Sequence, residues 1–184
     1  MKKQLLIASL AFATLGSGVA QAEITPQRMA DAIYAVIASD RAVYTTQVVN
    51  RLQNEDEVIT ADEHWKEESA LPLPAQMLRM GAEGVAKQNA GFTYALLSEW
   101  PINSQNSAKT PMEKQGLAFV RTNLGKNFYG TEELGGKKYF TAVYADMAVS
   151  EACTKCHNDH IDSPKTDFKL GDIMGGVVMR IPLD

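Results

Sequence analysis

The chain has 184 residues, 18 of them basic and 22 acidic, with a net charge of −4 and two cysteines. That length suits a single domain, and the acidic balance argues against nucleic acid or anionic lipid as a partner. Two cysteines three residues apart also exclude a framework of structural disulfides.

The first 22 residues have the layout of a signal peptide. Lys2 and Lys3 precede a short apolar run from Leu5 to Leu15, and Ala20-Gln21-Ala22 suits a signal peptidase. The run is too short to span a bilayer, so the expectation is a periplasmic protein without stable membrane insertion. Two of the 18 basic residues lie in this leader, leaving 16 against 22 acidic ones, or −6, in residues 23–184. A redox partner with a basic surface would complement such a charge.

Thr25-Pro26 predicts a helix start, with Thr25 as cap and Pro26 at the first position. Met29, Ile33, Ile37, Tyr44, Val48 and Leu52 recur mostly at steps of four, which predicts one long helix over 26–53. Such a helix also offers a surface on which two copies of the chain can pair. Thr60 and Glu63 read as a capping box for a short helix bearing His64 and Trp65. Pro74 begins another helix, through about Gln88, that carries Met77 and Met80. Residues 91–98 read as a strand, and 100–106 as a turn-rich connection. Thr110-Pro111-Met112-Glu113 is the clearest helix start, for a helix to about Asn123. Two strands follow, near 128–134 and 138–147, joined at Gly135-Gly136. The segment 177–182 is strand-like, at the centre or the edge of a sheet. The fold class expected is α+β, a small antiparallel sheet with a long N-terminal helix and flanking helices.

Cys153-Thr154-Lys155-Cys156-His157 lies between the last two predicted strands and is the strongest chemical signal. Cys-x-x-Cys-His is the c-type haem attachment pattern. On a helical turn, Cys153 and Cys156 share a face and can both form thioethers to one edge of the porphyrin. His157 is then placed to ligate the iron from the proximal side, and Ser150 can cap the turn. A redox disulfide usually sits in a βαβ context, absent from this pattern. A zinc site from Cys153, Cys156, His157 and His160 would need a tetrahedral clamp from adjacent residues, a poor geometry.

Taken together, Leu71-Pro72-Leu73-Pro74-Ala75, Leu97-Ser98 with Pro101, Asn103 and Asn106, then Glu113, Tyr139, the haem pentapeptide and Gly171-Asp172-x-x-Gly175 resemble the Tll-like c-type haem domain. The resemblance covers nearly all of residues 23–184. It implies a PAS-like fold, one covalent haem c held by Cys153, Cys156 and His157, and a long N-terminal helix against the haem. It implies a role in electron transfer or in redox or small-gas sensing. The family includes a member whose second iron ligand is a cysteine of the N-terminal helix. This chain differs, because both its cysteines lie in the attachment motif.

The distal iron ligand is therefore open to other residues. Tyr44 is the leading candidate, since the resemblance puts its helix against the haem and its phenol needs a polar partner. Met77 or Met80 are weaker alternatives, and His64 is a further one. His160 follows His157 too closely to reach the opposite face. An open distal site with acid–base groups would instead suit a small haem enzyme of peroxidase or nitrogen-oxide chemistry.

Overall fold

The computed structural model describes residues 23–183; the expected signal peptide falls outside them. Helix α1, Pro26–Val43, starts as its sequence predicts, with the Arg28 N–H donating to Thr25 Oγ1 at 3.2 Å and Pro26 in the first turn. The chain stays helical beyond Val43 but changes winding, and Tyr44–Glu55 is a π-helical segment. A local cause lies at the junction. The Thr45 and Thr46 hydroxyls donate to the carbonyls of Arg41 and Ala42, at 2.7 and 2.9 Å, and such back-bonding competes with the α-helical ladder.

The predicted short helix after Thr60 does not form. Glu63–Ser69 is a series of turns, closed at its base by two short parallel strands, β1 (Ala61–Asp62) and β2 (Leu71–Pro72). Asp62, not Thr60, takes the His64 N–H, and Ser69 has φ +52°, which a helix cannot continue through.

The remaining elements follow the predicted order. They are α2 (Pro74–Lys87), β3 (Thr93–Leu97), α3 (Pro111–Thr122), β4 (Phe128–Leu134), β5 (Lys137–Met147), α4 (Glu151–Asp159) and β6 (Ile173–Leu183). Four strands form one antiparallel sheet in the order β3-β6-β5-β4. Gly135 and Gly136, with φ of +58° and +78°, make the two-residue β4–β5 turn, a geometry that needs positive φ at both positions. β6 starts earlier than expected and lies at the sheet's centre, paired on both sides.

Both faces of this sheet are covered. Side-chain alternation sends Ala142, Tyr144, Met179 and Ile181 toward α1, where Met29, Ala30, Ile33, Tyr34 and Ile37 meet them. It sends Val143 and Val178 to the other face, against Leu117 and Val120 of α3. Gly116 permits that close approach, since a Cβ there would lie 2.4 Å from a methyl of Val143. The sheet is thereby fixed from both sides, and its β5 and β6 ends become a rigid floor for the region beside α4.

Candidate functional site

A cavity of about 330 Å³ opens between α4, the π-helical segment, the start of α2, the loop after β3 and the adjoining ends of β5 and β6. Sites that enclose small molecules and cofactors run from roughly 300 to 1,000 Å³. The cavity is therefore large enough to be a binding site.

Helix α4 supplies one wall. Ser150 caps it, accepting the Ala152 N–H at 3.2 Å, and donates in turn to Asn50 Oδ1 at 2.9 Å. One buried hydroxyl thus starts the helix and ties it to the π-helical segment. The helical repeat then turns Ala152, Cys153, Cys156, His157 and His160 to the cavity. Both thiols are free. Cys156 is exposed, but partial desolvation by its surroundings, with the nearby Cys153, Glu63, Asp159 and Asp62, pushes its thiol above the ordinary range.

His157 is held edge-on to Phe168, ring centres 5.8 Å apart. Asn158 keeps Phe168 in place by a pair of hydrogen bonds, one to its carbonyl and one from its N–H, both 2.9 Å. Burial lowers the His157 pKa, helped by the charges of His160 and Arg41, so the imidazole is neutral at neutral pH. Its Nδ1 is buried without a hydrogen-bond partner among the described residues. A neutral imidazole in a cavity wall suits metal ligation through Nε2, because the enclosed Nδ1 has no surface for a metal to reach. His160 also lines the cavity, but its Nδ1 accepts the Asp162 N–H at 3.1 Å.

The facing wall comes from the long helix, and it is not the wall expected. Arg41, Thr45, Val49 and Gln53 line the cavity, each four residues from the last. Tyr44 lies one position away; it is not among the cavity-lining residues, and its hydroxyl donates to the Pro72 carbonyl at 2.7 Å. Met77 and Met80 of α2 do not line the cavity either, where that helix contributes Pro74, Ala75, Gln76 and Arg79. Met80 is exposed. His64 is exposed too, beside Glu63 at 3.7 Å. Two other methionines do line the cavity, Met147 at the end of β5 and Met174 in β6.

Arg41 pairs with Asp146 across this wall. Burial raises the Asp146 carboxyl above its ordinary range, against the pull of the guanidinium. Sequence reasoning passed over the stripe 41-45-49-53 because two of its four members are long and polar, so no hydrophobic period marks it. Asp146 carried a signal, as the charged residue in the otherwise apolar run Ala142–Met147.

The Ser98, Pro101, Asn103 and Asn106 motif forms the cavity's loop wall. Ser98 Oγ donates to the Met174 carbonyl at 2.6 Å, and the Ser98 N–H donates to the Asn106 carbonyl at 2.9 Å. Gly175 lets β3 close in, because a Cβ there would meet the Leu97 carbonyl at 2.4 Å. Gly171, at φ +87°, and Asp172 shape the turn that leads into β6, with the Ala148 N–H donating to the Asp172 carbonyl. Among the described residues, no three His, Cys, Asp or Glu side chains cluster closely enough to hold a metal ion by themselves, so the zinc clamp does not assemble.

The sequence matches the Tll0287-like family over residues 19–182. The chain belongs to the Tll0287-like family. Among solved structures, it is similar to the cyanobacterial heme-protein Tll0287, at TM-score 0.57 and 15% identity, over 87% of this chain and 98% of that one. At that identity the likeness shows a shared fold, mixed α+β with an antiparallel sheet and four helices. No curated protein sequence is significantly similar.

Proposed function

We propose that this chain is a periplasmic mono-haem cytochrome of c type and PAS-like fold, acting in electron transfer or in redox or small-gas sensing. One observation carries the reading: Cys153, Cys156 and His157 stand together on a cavity wall, the histidine half-buried and neutral. Membership of a family with a heme-protein member supports the choice of cofactor. Cys153 and Cys156 would hold haem through two thioethers and His157 would ligate its iron. The haem supplies reversible one-electron chemistry and an iron site able to bind small gases.

The chain's own residues define what surrounds it. Phe168 and Asn158 fix the His157 ring, and Thr45 and Val49 face the cavity from the opposing helix. Neither Thr45 nor Val49 is a strong iron ligand, and of the two methionines on the cavity wall Met174 packs with Phe168 and Cys153, on the side of His157, so a second protein ligand would be Met147, or the position would stay open to a gas. Among the described residues no helix is long and apolar enough to cross a membrane. The leader-like start of the sequence supports an exported protein that meets its redox or signalling partner in the periplasm.

The test is the mass and pyridine haemochrome spectrum of protein matured in a periplasm. The expected result is polypeptide plus one haem in the wild type and none after Cys153→Ser with Cys156→Ser. A wild-type mass equal to bare polypeptide would end the reading. Carbon monoxide added to the reduced protein then separates the two roles: a shifted Soret band marks an open or weakly held site, an unchanged one a six-coordinate electron carrier.

A further inference from the structure

Arg41 carries an unanswered hydrogen-bonding requirement. Its side chain is 15% exposed, its Nη1 donates to Asp146 Oδ1, and its Nε is buried with no partner among the described residues. A guanidinium presents five N–H donors in a planar fork, and one carboxylate oxygen satisfies only part of it. A buried donor left unmade costs about 1–3 kcal/mol, and native proteins seldom keep one without a reason.

No acceptor among the described residues lies within hydrogen-bond reach of Nε. Ser98 Oγ already accepts the Trp100 N–H, and Asn103 Oδ1 accepts the Gln105 N–H. The other arginine of the cavity, Arg79, is half exposed and leans on Glu83 at 3.3 Å. Arg41 is thus the buried cation of the cavity, held by Asp146 through Nη1 with its enclosed Nε unpaired, so that the rest of its guanidinium is left to meet an occupant.

We infer that Arg41 binds an oxyanion brought by the occupant of the cavity, with Asp146 as the group that fixes its orientation. Two sources share this chemistry. One is a propionate carboxylate of the haem, which rests on the function proposed above; the other is a small free oxyanion. The bidentate fork of arginine suits either, and a lysine point charge would suit both less well.

The experiment compares the haem-loaded full chain with its Arg41→Gln and Arg41→Lys variants, by resonance Raman spectroscopy of the propionate-bending band, by midpoint potential, and by the Soret response to added phosphate. If a propionate is the ligand, the band shifts in both variants, and the potential falls in Arg41→Gln because a positive charge that favours ferrous iron is gone. If a free oxyanion is the ligand, the band holds still, and phosphate shifts the wild-type Soret band but not that of Arg41→Gln. Wild-type values for all three readouts, in a variant that keeps its haem, would overturn the inference. Arg41→Lys carries the same test if Arg41→Gln does not accumulate. A wild type without haem would instead refute the proposed function. Phosphate binding by calorimetry, lost in Arg41→Gln, would then still decide the role of Arg41.

Discussion

Tyr44 and Thr45 show how much one position on a helix decides. Both sit at the α-to-π junction, yet Tyr44 turns to the Pro72 carbonyl and Thr45 is buried at the cavity. Tyr44→Phe should therefore lose about 0.5–1.5 kcal/mol of stability, read by chemical denaturation, while the optical spectrum of the haem-loaded protein stays as it was. A shifted ferric spectrum would return Tyr44 to the distal side. Glu113 supports a second expectation. Burial alone would raise its pKa, but N–H groups of Thr110 and Lys109 and the Arg180 guanidinium, at 2.7 Å, lower it overall. A carboxyl with a lowered folded pKa stabilises the fold fully above its unfolded value of about 4.3, and that contribution disappears as pH falls through the folded value. Glu113→Gln should cost about 1.5–3 kcal/mol at neutral pH. The gap between variant and wild type should close below about pH 4, and a constant gap across pH would show that the charge is not the cause.

Among the elements, α4 depends on contacts at its first turn. Ser150→Ala removes both the cap and the link to Asn50, an expected loss of about 1–2 kcal/mol by thermal melting. The loss should be larger than that for Thr25→Ala, whose hydroxyl caps an exposed helix start. Helix α3 is sensitive in another way. Gly116→Ala gains up to about 1 kcal/mol of helix propensity, but the new methyl meets Val143, which is fully buried and cannot move aside. Overpacking of that kind costs about 1–3 kcal/mol, so the variant should melt lower than the wild type; a higher melting temperature would show that α3 can retreat from the sheet. On α1, Val36 and Val43 face solvent, 61% and 58% exposed. That is where pairing of two copies through the N-terminal helix would have to occur, and sedimentation velocity of Val36→Lys with Val43→Lys tests it.

For the molecule as a whole, the sequence determined the elements whose signals are local. Thr25-Pro26, Thr110-Pro111 with Glu113, and Gly135-Gly136 each satisfy or strain backbone groups within four residues, so their helices and hairpin could be placed before any packing was known. The pentapeptide Cys153–His157 is equally local, since residues three and four apart share a helix face in any context. Tertiary structure decided the rest. Which face of the helix beyond Val43 meets the cavity is set by its packing against α4 and α2, and so the cavity-facing stripe fell on 41, 45, 49 and 53 instead of 44, 48 and 52. The central place of β6 follows from pairing with strands about 35 and 80 residues earlier, which no local period encodes. Arg41 and Asp146, 105 positions apart, meet only because α1 crosses the end of β5. An ion pair built across that distance leaves no pattern that links its members: Asp146 stands out in its apolar run, but nothing near it in the chain foretells Arg41.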